Sequence, residues 1–249
     1  MARPMTVGFD SVLNGCRLLP VLTVPSTAMA GPLADALAAG GARCAEVTFR
    51  TPGAERVLKA MAAHGGLVVG AGTVLTPEQA ERAVAAGARF VVSPAFDEEV
   101  VAKCRELGVP VVPGIATATE LMRALKAGLD TVKHFPAEPL GGLRTLQALA
   151  APFPRTRFVP TGGIDASRLA AYLAHPAVLA VGGSWMATTD HLERGDYKDI
   201  RRLTAEAVEA VEAVEAVEAV EAVEAVEAVE AVEAVEAVEA VEAVEGSMT

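Results

Sequence analysis

The strongest constraint on the fold is an alternation that repeats over the first two hundred residues. Short runs rich in Val, Ile, Phe and Thr are each followed by a longer Ala/Leu/Glu/Arg segment of helical period. The runs are 17–24, 44–50, 67–74, 90–94, 110–115, 131–136, 157–163 and 178–184. Helical segments fall between them, among them 78–86, 98–107, 119–127 and 167–174, and a last one opens near Tyr197. Such alternation is the pattern of βα units on a parallel sheet. Gly87, Gly108 and Gly128 each stand where a helix must stop before the next strand. Thr76-Pro77 reads as an N-cap followed by the first helical residue. Eight units in this length predict an α/β fold, a small (β/α)₈ TIM barrel with a short N-terminal helix over 7–15. The competing architecture, an open doubly wound sheet, would want GxGxxG after an early strand. Gly70-Ala71-Gly72 is the nearest match and lacks the third glycine.

Beyond the alternation the chain turns monotonous. From 207 to 245 it is Ala-Val-Glu repeated 13 times. Two domains follow: a barrel over 1–206 and a repeat tail over 207–249, helical or frayed. A period of three advances about 300° on a helix, so the valines spiral and form no fixed apolar stripe. The pattern is neither a heptad nor an 11-residue repeat. Thirteen of the 32 acidic residues sit in this tail, leaving 19 against 21 Lys and Arg, so the rest of the chain is nearly neutral. No polyanion-binding surface, and hence no nucleic-acid partner, is expected. No run of about 18 uncharged apolar residues suggests a membrane span, and no secretory leader is expected at the start. Cys16, Cys44 and Cys104, odd in number and without CxxC, read as reduced thiols of a cytoplasmic protein. The four histidines are scattered, with no HxH or HExxH, so no metal or other cofactor is expected.

Barrel sites lie where strands end. The polar residues there are Glu46, Thr48 and Arg50; Thr73; Ser93 with Pro94; Lys133 with Phe135; Thr161-Gly162-Gly163; and Gly182-Gly183-Ser184. Lys133 interrupts an apolar strand, and His134 takes the other face by the period of two. An amine taken out of water is driven toward its neutral form, the form that attacks a carbonyl. Alternatively, Lys133 could snorkel to the rim or pair with an acid. Glu46 could act as a general base or serve only in a buried ion pair, and Arg50 could clamp a carboxylate. Two glycine pairs on neighbouring strands suit a phosphate site built from backbone N–H groups.

The motifs Glu46-Val-Thr-Phe-Arg50-Thr, Gly70-Ala-Gly-Thr73-Val-Leu, Ser93-Pro94, Pro113-Gly-Ile, Lys133-His-Phe135-Pro-Ala-Glu, Pro160-Thr161-Gly-Gly-Ile and Gly182-Gly-Ser184-Trp occur in this order. Together they resemble the 2-keto-3-deoxy-6-phosphogluconate (KDPG) and 4-hydroxy-2-oxoglutarate (KHG) aldolases over residues 8–206. The resemblance implies a homotrimeric class I aldolase acting on a small phosphorylated keto acid. Lys133 would form the Schiff base and Glu46 move protons. Arg50 and Thr73 would hold the pyruvate carboxylate, and Pro94 and Phe135 line the site. Thr161 would meet the sugar hydroxyls. Gly162, Gly163, Gly182, Gly183 and Ser184 would hold the phosphate. The departures are His134, where an aromatic is common, and the tail. Other readings are a phosphogalactonate-type aldolase, another phosphate-binding barrel isomerase or synthase, and a non-catalytic sugar-phosphate-binding or scaffold protein.

Overall fold

The structure, a computed structural model, describes residues 8–246. Among the described residues there are nine strands, separated by helices except between β5 and β6: β1 Leu18–Leu22, β2 Cys44–Thr48, β3 Val68–Gly72, β4 Val91–Val92, β5 Val111–Val112, β6 Gly114–Ile115, β7 Thr131–His134, β8 Arg157–Phe158 and β9 Val181–Gly183. Every strand falls inside a run expected from the sequence. The run 110–115 is split because Pro113 has no N–H to donate to a ladder. Its carbonyl still accepts from the Lys133 amide at 2.8 Å. All pairings are parallel. One sheet runs β5-β4-β3-β2-β1-β9 and the other β6-β7-β8. Isolated parallel bridges Phe158↔Val178 and Thr161↔Gly182 lie between the chain around β8 and that around β9.

Helix boundaries follow local chemistry. Thr76 caps Pro77–Ala85 by accepting from the Gln79 amide, and Thr117 with Glu120 forms a capping box on Ala118–Lys126. Gly87, Gly108 and Gly128 take positive φ just past three helix ends. The short N-terminal helix is Phe9–Leu13; Val7 of the expected 7–15 segment lies outside the described residues. Phe9 packs edge-on against Phe90, with ring centroids 5.2 Å apart. Phe9 and Leu13 share one buried cluster with Leu19, Cys44, Val92, Val112 and Val159. A second cluster lies between the strands β1–β5 and the helices that follow them.

The last helix runs Tyr197–Gly246, and the chain divides into two compact units between Val211 and Glu212. In the first unit this helix packs on the Gly40-Gly41 turn. A Cβ on Gly40 would lie 2.7 Å from the Thr204 side chain. Ala207 and Val211, from the first two repeats, are buried there. In the second unit the chain is helical, with Val217, Val220 and Val223 exposed.

Candidate active site

β2 and β7 carry the two charged side chains that matter most. Glu46 is 0% and Lys133 4% exposed, and Lys133 Nζ lies 3.4 Å from Glu46 Oε1. Ions are buried this deeply only when paired, since each loses its hydration. Glu46 Oε2 is buried with no hydrogen-bond partner among the described residues. The Lys133 ammonium also stands 5.3 Å from the centroid of the Phe135 ring.

Room for Glu46 is made by Gly72 at the end of β3. A Cβ there would fall 1.9 Å from Glu46 Oε1. The next residue, Thr73, has φ 57°. A β-branched residue in the left-handed region is strained, and such strain concentrates at functional sites. Pro94 is half-buried, and its carbonyl lies 2.0 Å from where a Cβ on Gly114 would be. Bare glycine lets β6 pass this close.

Above the buried pair opens a cavity of about 410 Å³. Among its lining residues are Arg50, Phe135, Thr161, Gly162, Gly163, Gly182, Gly183 and Ser184. Eight of the residues picked from the sequence therefore share one cavity. Lys133, Glu46, Thr73 and Pro94 are not in its wall, and Phe135, which touches both the cavity and the ammonium, is the link between the two levels. Gly162 and Gly163 have φ 102° and 81°, open to glycine at no steric cost. Their loop is pinned to the chain after β7: the Ala137 amide donates to Thr161 O at 2.8 Å and the Glu138 amide to Gly162 O at 3.0 Å. Among the described residues, the Gly163 and Ser184 amides donate to no backbone carbonyl. Gly182 lies against Thr161, whose Oγ1 would be 2.2 Å from an added Cβ.

His134 is fully buried with neither ring nitrogen hydrogen-bonded, and burial pushes its pKa below the usual 6.5. The cavity also contains residues the sequence reading passed over: Val21, Thr23, Ile164, Ala187, Thr188 and Thr189. Thr23 was findable, because it directly follows the last residue of β1. The cysteines, widely spaced in sequence, include a close pair: Cys16 Sγ and Cys44 Sγ are 3.1 Å apart. The Cys44 hydrogen bond draws the Cys16 thiol down to about 6 and pushes the Cys44 thiol up.

A parallel α/β scaffold with a buried lysine–glutamate pair and a glycine-lined cavity defines a lysine-centred type of site. The family model described as KDPG and KHG aldolase matches residues 9–203. The chain belongs to the KDPG and KHG aldolase family. It is 51% identical over 197 residues to a 2-dehydro-3-deoxy-phosphogluconate aldolase of Treponema pallidum, covering 79% of this chain and 94% of that one. It is 44% identical over 200 residues to the KHG/KDPG aldolase of Escherichia coli K12, covering 80% and 94%. Among solved structures, it resembles a KDPG aldolase from Legionella pneumophila with pyruvate captured as a covalent carbinolamine. The TM-score there is 0.76 at 38% identity, over 79% of this chain and 96% of that one.

Proposed function

We propose that this chain is a class I aldolase, a lyase that cleaves KDPG to pyruvate and glyceraldehyde 3-phosphate. The same site would split 4-hydroxy-2-oxoglutarate to pyruvate and glyoxylate. The observation that carries this reading is the buried contact of 3.4 Å between Lys133 Nζ and Glu46 Oε1 below the cavity. It gives a nucleophile and a proton carrier in one place.

In this reading Lys133 Nζ adds to the C2 carbonyl of the substrate, and loss of water leaves an iminium. Glu46 carries the proton that the amine sheds and then takes the C4 hydroxyl proton. The C3–C4 bond breaks, its electron pair flows into the iminium, and the aldehyde departs. The resulting enamine is protonated at C3 and hydrolysed, which frees pyruvate and restores the amine. Acid–base help of this kind contributes about 10²–10⁴-fold. Arg50 and Thr73 hold the carboxylate, Pro94 and Phe135 wall the site, and Thr161 meets a sugar hydroxyl. Gly162, Gly163, Gly182, Gly183 and Ser184 surround the phosphate. The unengaged amides of Gly163 and Ser184 support the last assignment.

We also read the two sheets as one closed eight-stranded barrel. The bridges Phe158↔Val178 and Thr161↔Gly182 support closure on one side, and the single-residue interruption at Pro113 on the other. We assign the aldolase body to 1–206 and the repeat tail to 207–249, with the first two repeats still packed on the body as far as Val211. The family resemblance favours a homotrimer, which light scattering would test. The free, buried cysteines fit a reducing cytoplasm. Among the described residues, no helix is long and apolar enough to cross a membrane.

The decisive experiment is borohydride reduction in the presence of pyruvate, followed by peptide mass spectrometry. A reduced pyruvyl adduct on Lys133 is expected. A folded protein that gives no adduct would overturn the proposal.

A further inference from the structure

Thr23 follows β1 directly and lines the cavity together with Arg50, Gly183 and Ser184. Its hydroxyl lies 2.9 Å from that of Thr48, and Thr48 Oγ1 lies 2.9 Å from the Leu22 carbonyl. Proton accounting fixes the direction of this chain. A carbonyl oxygen only accepts, so the single Thr48 proton goes to Leu22 O. The proton between the two hydroxyls must then be Thr23's. Thr48 is buried, so it has no solvent alternative. Thr23, which lines the cavity, thus carries a hydroxyl whose proton is spent. What that hydroxyl can offer a ligand is lone pairs alone.

We infer that Thr23 is a specificity-determining residue that accepts a hydrogen bond from a substrate hydroxyl. This rests on the aldolase reading, and it names a substrate contact at that same site. The hydroxyl in question is the one on C5. The C4 hydroxyl gives its proton to Glu46, and C5 is the carbon between the reacting atoms and the phosphate. The level of Thr23 agrees. β1 pairs with β2 at Val21↔Glu46, so Thr23 stands two residues above the general base, and on its other side β1 pairs with β9 at Pro20↔Gly183. An acceptor at this point favours a chain that bears a hydroxyl donor at C5. It opposes one that bears a carboxylate there, as 4-hydroxy-2-oxoglutarate does, because two acceptors facing each other lack a proton to share. Discrimination by matched polarity at a buried contact exceeds what shape alone supplies.

The test is the ratio of kcat/KM for KDPG to that for its 5-deoxy analogue. It is measured in the full-length wild type, in Thr23→Val and in Thr23→Ser. One neutral hydrogen bond predicts a wild-type ratio of about tenfold. The ratio should fall to near one in Thr23→Val, which keeps the shape and removes the acceptor, and return in Thr23→Ser. A purely structural threonine would slow both substrates equally, and an unchanged ratio in Thr23→Val overturns the inference. Should Thr23→Val not fold, Thr48→Val carries the test. It removes the oxygen that takes Thr23's proton, so Thr23 can donate, and the preference for KDPG over 4-hydroxy-2-oxoglutarate should narrow. No narrowing overturns the inference. Exchange of the pyruvate methyl protons by the wild type, followed by NMR, involves no C5 atom. Its absence would sink the aldolase reading itself, whereas exchange with an unchanged Thr23→Val ratio sinks only the role of Thr23.

Discussion

Gly72→Ala tests whether the position of Glu46 is set by the missing side chain beside it. Gly72 does not have the positive φ that would exclude alanine, so the perturbation is steric. The new Cβ would lie 1.9 Å from Glu46 Oε1 and 2.5 Å from its Cδ. Ordinary contact begins near 3.4 Å, so the carboxylate must retreat by about 1.5 Å. The Lys133 contact already stands at 3.4 Å and would be lost. A misplacement of about 1 Å can cost roughly 10²-fold in rate, and the same loss is expected here in kcat for KDPG cleavage. Overpacking should also lower stability by about 1–3 kcal/mol. The assay couples pyruvate release to lactate dehydrogenase, with a thermal melt and borohydride trapping run in parallel. Trapping at Lys133 should persist, since the amine is intact. Gly70→Ala is the control. Its Cβ would strike the Phe90 ring at 2.1 Å, so it should cost stability without moving Glu46. A folded Gly72→Ala enzyme with kcat within about twofold of wild type, against the 10²-fold expected from misplacement, would refute the reasoning.

Lys133→Ala should abolish both turnover and pyruvate trapping, and residual cleavage by that variant would mean that another group is the nucleophile. Ser184→Ala should raise KM about three- to tenfold for a phosphorylated substrate and less for an unphosphorylated one, and equal effects would remove its phosphate role. His134→Phe should alter the pH dependence of stability. Burial lowers the native pKa of His134 below 6.5, so on acidification the unfolded chain takes up a proton that the native state refuses. Wild-type stability is therefore full above about pH 6.5 and falls below it, while the variant should lose that component; melts at pH 5 and 7 with the same difference in both proteins would contradict this. The Asp165 and Glu120 carboxyls are held below their usual range by Ser167 and by the Ala116 amide, so their contributions are lost only at lower pH.

The strands were legible because they lie in short apolar runs, often β-branched, and three of those runs follow a glycine that stops the preceding helix, Gly87, Gly108 and Gly128. Lys133 was legible for the same local reason, a lone charge inside such a run. The glycine pairs at 162–163 and 182–183 were legible because close backbone approach needs that residue type. Strand ends were overestimated near Pro94, Pro113 and Pro160, where a missing N–H ends or interrupts the ladder. The expected 131–136 strand likewise stops at His134, before Pro136.

Other features depend on distance across the fold. Lys133 meets Glu46 across 87 residues, and Gly72 owes its role to a carboxylate on another strand. Thr23 becomes a directional acceptor only because Thr48 and Leu22 lie beside it, and Cys16 finds Cys44 across 28 residues. Propensity and period act along the chain and act on neighbours, so one sequence suffices to place elements and mark unusual residues. Which of those residues touch is set by strand register and stagger, and these arise when the whole core packs.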